Sequence, residues 1–274
     1  MKFIKIIIIL FIGIIPGWLG FNNFTIRLTP PSAIAAPAFS KEMIDQLVDQ
    51  AFKATNKGDF TTAENAWSQL IEQYPDNPAG WSNRGNIRVS QYKLEAAVSD
   101  YNKAIELAPT SPDPYLNRGV AYEALQQWSR AIADYNYVLE LTPNDAIAYN
   151  NRGNAEAGLG HWKQAIADYK KATEIQPSYA FARANYALAL YQDGQEKEAI
   201  KTLKNLVRKY PNFAETRAAL TACLWRAGLR GEAESNWVAA IGLDSRYKDI
   251  NWVANVRRWP PKMLEALDQF LNLG

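Results

Sequence analysis

Apolar and small residues return along this chain at one fixed interval. Pro75, Pro109, Pro143, Pro177 and Pro211 stand 34 residues apart, and Ala63, Ala97, Ala131, Ala165, Ala199 and Ala233 keep the same spacing. A large apolar series follows it through Trp67, Tyr101, Tyr135, Tyr169, Leu203 and Trp237, and Gly85, Gly119 and Gly153 each sit inside Asn-Arg-Gly. Four registers with one period identify a repeated structural unit.

The residue types predict two helices per unit. Asn77-Pro78 and Ser111-Pro112 place a capping side chain before a proline at the first helical position, where the missing N–H costs nothing. Glycine in the middle of the first helix lets the second approach closely. Gly58, Gly160, Gly194 and Gly228 mark the turn between the helices. The repeating alanine of the second helix faces the first, with the aromatic one turn later on the same face. Proline closes the unit because it cannot continue a helix.

The period and these residues resemble the tetratricopeptide repeat. The second unit carries the likeness through Trp81, Gly85, Ala97, Tyr101, Ala104 and Pro109. The third does so through Tyr115, Gly119, Tyr122, Ala131, Tyr135 and Pro143, and the fourth through Tyr149, Gly153, Ala165, Tyr169, Ala172 and Pro177. The outer units depart from it: Arg183 and Ala187 replace the aromatic and the glycine in the fifth, and Ser245 stands for proline in the sixth. The resemblance implies an all-α fold, a right-handed α-solenoid of about six helix–turn–helix hairpins over residues 39–245. Residues 246–274 form a C-terminal helical cap over its open end. It also implies protein-binding function, with the first helices lining a concave groove.

Projected onto those helices, Asn86, Val120, Asn154 and Leu188 form one row, and Ser82, Leu116, Asn150 and Ala184 another. Asn83, Asn117, Asn151 and Asn185 form a third. Primary amides donate and accept together, so such rows suit the backbone of an extended peptide, although the same groups can instead bridge neighbouring helices. Tyr191 completes the groove candidates. Some members of the family grip a terminal carboxylate with lysines beside such asparagines; here Ser82, Leu116 and Asn150 hold those positions, which argues against that ligand. Arg84, Arg118 and Arg152 recur with Asp100, Asp134 and Asp168, predicting one partly exposed ion pair per hairpin worth about 0.5 kcal/mol. After the last repeat, Trp252, Arg257, Arg258 and Trp259 suggest either part of the cap or a second partner site, since Trp and Arg dominate interface energetics.

Composition narrows the picture further. Lys2 and Lys5 precede an apolar run from Ile6 to Phe21, and Ala33-Ile34-Ala35-Ala36-Pro37-Ala38 follows, the order of a secretory signal over residues 1–38 cleaved after Ala35 or Ala38. An uncleaved anchor is the alternative, but sixteen residues with Pro16-Gly17 inside make a poor span. Both put the repeats outside the cytoplasm, in a periplasm or thylakoid lumen. Without Lys2, Lys5 and Arg27 the chain keeps 27 basic against 28 acidic residues, a charge of −1 that offers no nucleic-acid surface. Cys223 is the single cysteine and His161 the single histidine, and no phosphate loop, serine elbow or metal spacing is present. No enzyme, cofactor, metal or small-molecule substrate is expected. The expected function is a non-catalytic scaffold aiding assembly or stability of a membrane protein complex. The alternatives are an adaptor for cell-envelope enzymes and a self-associating structural protein.

Overall fold

The computed structural model describes residues 40–272. The export-signal reading lies outside them. The described residues are all-α. They fall into two compact units that divide after Pro143. The first unit holds α1 (Lys41–Asn56), α2 (Phe60–Gln73), α3 (Pro78–Ser90), α4 (Leu94–Leu107), α5 (Pro112–Ala124) and α6 (Trp128–Leu141). The second holds α7 (Ala146–Gly158), α8 (Trp162–Ile175), α9 (Ala180–Gln192), α10 (Glu196–Lys209), α11 (Ala214–Arg226) and α12 (Arg230–Leu243). A 3₁₀ turn at Ser245–Lys248, the one-turn α13 (Ile250–Trp252), a π-helical stretch at Val253–Arg257 and α14 (Pro261–Asn272) complete it. No helix among the described residues is long and apolar enough to cross a membrane.

The first twelve helices pair as six antiparallel hairpins, and the periodic residues explain why. All six alanines from Ala63 to Ala233 are fully buried where the two helices of a hairpin touch. Glycine faces the aromatic sixteen residues later: a Cβ on Gly119 would lie 2.5 Å from Tyr135 Cε1, and Gly85 and Gly153 stand likewise against Tyr101 and Tyr169. In the fifth hairpin Ala187 pairs with Leu203 instead, so a larger residue on one helix accompanies a smaller one on the other. Gly119→Ala is therefore expected to lower stability by about 1–3 kcal/mol through overpacking, read as a fall in the denaturant midpoint without a change in slope.

The turns share one geometry but not one residue. Gly58, Gly160, Gly194 and Gly228 have φ between 75° and 84°, and Tyr92 (φ 62°) and Gln126 (φ 58°) take the same left-handed place in the second and third hairpins. A side chain there costs about 1–2 kcal/mol, so glycine is the preferred but not the required solution. Asn77 caps α3 by accepting from the Ala79 N–H at 3.0 Å. Ser111, by contrast, makes no side-chain capping bond to α5, which relies on Pro112.

The proline that ends each unit has a second use. The Pro75 carbonyl accepts from Trp81 Nε1 at 2.7 Å and the Pro109 carbonyl from the Tyr115 hydroxyl at 3.2 Å. The Pro177 and Pro211 carbonyls accept from Arg183 Nη2 (3.4 Å) and Arg217 Nε (2.7 Å). Arg183, a departure from the repeat pattern, thus keeps the donor that the aromatic supplied.

Successive first helices touch one another within each unit (α3 with α5, α7 with α9, α9 with α11), and no pair of successive second helices packs as closely. The first helices therefore line the inner side of each stack. The C-terminal segment departs from the expected end cap. α14 lies along α11 and α9, on that inner side, and meets α12 through Phe270 against Trp237. The outer face of α12 stays uncovered, with Val238 68% exposed and Leu243 also exposed.

Candidate functional site

The inner face is where the sequence placed the binding residues, and the structure divides them by what their amides already bond. Asn86 is only 2% exposed, and its Oδ1 accepts the Tyr101 hydroxyl at 2.8 Å. Asn154 Oδ1 accepts the Tyr169 hydroxyl at 3.0 Å. Both belong to the hairpin interior, because a buried tyrosine hydroxyl needs an acceptor. The third hairpin follows the same logic: Val120 breaks the asparagine row, and Tyr135 donates instead to Glu123 Oε1 at 2.5 Å, one helical turn on. In the fifth, Leu188 and Leu203 replace amide and hydroxyl together.

Asn150, Asn151 and Asn185 together bridge neighbouring helices, the alternative that the sequence left open. Asn150 Nδ2 donates to Asn151 Oδ1 (3.1 Å), and Asn185 Nδ2 donates to Asn150 Oδ1 (3.0 Å) and Asn154 Oδ1 (3.2 Å). This network ties α7 to α9. Asn150 and Asn151 are buried, and the exchange of amide bonds satisfies groups that would otherwise be costly to desolvate. Tyr191 is buried too, and burial pushes its hydroxyl up to about 12.

Asn83 and Asn117 differ from all of these. They sit at equivalent positions of α3 and α5, are half-buried, and their side-chain amides make no hydrogen bond to another described residue. Both line one pocket on the inner side of the first unit, with Ser82, Asn86, Ser111 and Asp113. Its volume of about 20 Å³ is close to the space one water needs. It is a small dent on the groove floor, where the two amides stand beside the apolar surfaces of Pro78, Ala79, Ala108 and Pro114.

The arginine–aspartate pairs form as expected within each hairpin but are more buried. Arg84 Nε and Nη2 donate to Asp100 (3.0 and 2.7 Å), Arg118 to Asp134 (2.9 and 2.6 Å) and Arg152 to Asp168 (2.8 and 2.6 Å). Arg84, Arg118 and Arg152 also lie over the rings of Trp81, Tyr115 and Tyr149 at 4.9, 5.4 and 5.3 Å. Arg84 Nη1 reaches back to Ser68 and Arg118 Nη1 to Asn102, so these two pairs also join their hairpins to the ones before. Arg88 adds a link unseen in the repeat pattern, bonding both Asp100 (2.9 Å) and Glu64 (2.9 Å).

At the C-terminal end three of the four Trp and Arg residues pack within the segment that precedes α14. Trp252 and Trp259 are buried, and Tyr247 packs between them with ring centroids 5.2 and 5.9 Å away. Arg257 is paired with Glu215, whose Oε1 also accepts from Trp259 Nε1 at 3.0 Å. Arg258 alone of the four is exposed, in the left-handed region at φ 52°. A partner could reach the other three only by unpacking the cap. Glu215 escaped notice in the sequence because its partners lie more than 40 residues away and outside the repeat.

The remaining candidates for chemistry are accounted for. Cys223 is buried beside Met263 (3.9 Å), and burial raises its thiol pKa far above reactivity at neutral pH. His161 is exposed at the start of α8, its Nδ1 2.8 Å from Glu156 Oε2. No group of three potential metal ligands occurs among the described residues.

Models described as tetratricopeptide or TPR repeats match residues 85–126, 124–160, 146–179 and 185–212. A search of curated protein sequences finds no significant match. Among solved structures, YrrB, described as a TPR protein with an unusual peptide-binding site, aligns with 67% of this chain and 94% of its own at 21% identity and a TM-score of 0.53. MamA aligns with 64% of this chain and 96% of its own at 25% identity and 0.55. A thermophilic TPR protein of Thermus thermophilus, TTC0263, aligns with 66% of this chain and 99% of its own at 16% identity and 0.56. These likenesses bear on the fold.

Proposed function

Starting from the fact that this chain is a member of the tetratricopeptide-repeat family, a class of protein-interaction scaffolds, we propose that it is a non-catalytic scaffold whose inner face receives an extended segment of a partner protein. The observation that carries this reading is the pair of unspent amides. Of the seven asparagines read as ligand contacts, Asn86, Asn150, Asn151, Asn154 and Asn185 are engaged within the fold. Asn83 and Asn117 keep both donor and acceptor for something outside it. One amide on each of two successive first helices suits a peptide backbone crossing both, since each can donate to a carbonyl and accept from an N–H.

The proposed setting is extracytoplasmic, a periplasm or thylakoid lumen, supported by Lys2, Lys5, the apolar run Ile6 to Phe21 and the alanines before residue 39. The proposed role there is to aid assembly or stability of a membrane protein complex. The test is affinity purification of the tagged protein from its native membranes, beside an Asn83→Ala plus Asn117→Ala variant. Loss of the partner, with helicity and denaturant midpoint unchanged, is the expected result. Retention of the same partner by the double variant would remove the first unit's inner face as the binding surface, and recovery of no partner at all would count against the scaffold role.

A further inference from the structure

The position of α14 has a meaning that the repeat does not supply. A terminal helix serving only to finish a repeat array belongs on the open face of the last hairpin, where apolar surface meets water. Here that face, on α12, is left with Val238 and Leu243 exposed, while α14 lies on α9 and α11, along the inner side of the fifth and sixth hairpins. The inner side is the surface on which the scaffold reading places ligands. It therefore already holds a helix.

We propose that the inner face of the fifth and sixth hairpins is a helix-accepting recognition groove, that α14 is its resident occupant, and that an amphipathic helix of a partner protein displaces α14 from it. The occupant shows the chemistry required. Met263, Ala266, Leu267 and Phe270 are buried at i, i+3, i+4 and i+7, one apolar stripe of a helix. Met263 rests on Cys223, and Phe270 sits edge-on to Trp225 and Trp237 at 5.2 Å from each. Two polar bonds set the register: Arg226 Nη1 to Gln269 Oε1 (2.6 Å) and the Lys262 N–H to Gln192 Oε1 (2.9 Å). A competing helix needs the same apolar spacing and an amide or carboxylate near its C-terminal end to meet Arg226.

The attachment of α14 is also separable from the rest of the cap. The preceding segment has its own anchor, where Glu215 holds Arg257 and Trp259. Between Trp259 of the anchor and the helix lies Pro260, and Pro261 is the first helical residue. Proline cannot carry the hydrogen-bonded ladder across that junction, so α14 is free to open as a unit while the anchor stays closed. The proposal rests on the scaffold reading for the existence of a partner, but it concerns a groove in the second unit, and its test does not involve Asn83 or Asn117.

The test uses the full chain and a fluorescent peptide with the sequence of Pro260–Asn272. In the wild type, α14 amides are expected to exchange with deuterium at least about tenfold faster than those of α11, by local opening. The Leu267→Asp chain, with α14 released, is expected to bind the peptide at least about tenfold more tightly than wild type, and a peptide carrying the same change should not bind. Three results would each overturn the proposal. They are exchange of α14 together with α11, a folded Leu267→Asp chain that ignores the peptide, and loss of the whole second unit's helicity in that chain. The last would make α14 an obligatory part of the core.

Discussion

Glu215→Ala is expected to destabilise the second unit by about 3–5 kcal/mol while leaving the first unaffected. Glu215 sits in the first turn of α11, where the positive end of the helix favours a carboxylate. It is buried and accepts from Arg257 Nε at 3.0 Å and Trp259 Nε1 at 3.0 Å, with a further contact to Arg257 Nη2. Truncation removes the carboxylate and leaves a guanidinium 14% exposed without its counter-charge. Breaking one side of a buried pair carries a penalty of that size. It also leaves the buried indole N–H of Trp259 without an acceptor. Glu215→Gln retains an acceptor for Trp259 and should lose less. Hydrogen exchange resolved by region distinguishes the units. A loss under about 1 kcal/mol for the alanine variant would mean that Arg257 finds water on its own and that the pair does not hold the cap.

Asp100→Ala carries the second large effect, expected at about 3 kcal/mol in the first unit. Its side chain is 2% exposed, and three arginine nitrogens converge on it, two from Arg84 and one from Arg88. Arg88 would keep Glu64 at 2.9 Å, which limits the damage on that side. Arg84 would keep Ser68 and the Trp81 ring but no carboxylate. The repeat pattern alone suggested an exposed pair worth about 0.5 kcal/mol. Burial changes the scale, because the carboxylate and guanidinium have already been desolvated and each depends on the other. A urea midpoint shift equivalent to less than about 1 kcal/mol would return the pair to the surface class.

The hairpins were legible because their contacts are short-range and repeated. Gly85 meets Tyr101, Gly119 meets Tyr135 and Arg84 meets Asp100, each pair sixteen residues apart in the sequence. Offsets of one period then predict the same contact in the next unit. The candidate site was legible only in part. The rows of asparagines could be placed on the correct helices, yet their side chains face different neighbours. Asn86 and Asn83 are three positions apart on α3 and line the same pocket, but one amide serves a buried hydroxyl while the other makes no hydrogen bond within the described residues. Nothing in the spacing separates those two fates, although the paired change to Leu188 and Leu203 hints that amide and hydroxyl belong together.

The amino-acid sequence by itself determined the all-α class, the six hairpins, the turn positions and the arginine–aspartate pairs, since each follows from a residue type set at a fixed offset within one hairpin. Only the tertiary structure decided which amides remain available, which acid neutralises Arg257, and that α14 lies on α9 and α11. Those outcomes depend on single, unrepeated contacts between residues far apart in the chain, as Glu215 and Trp259 are, and on which surface burial of Met263, Leu267 and Phe270 removes from water. A period encodes what recurs, whereas the placement of a segment that occurs once is settled by the packing it finds.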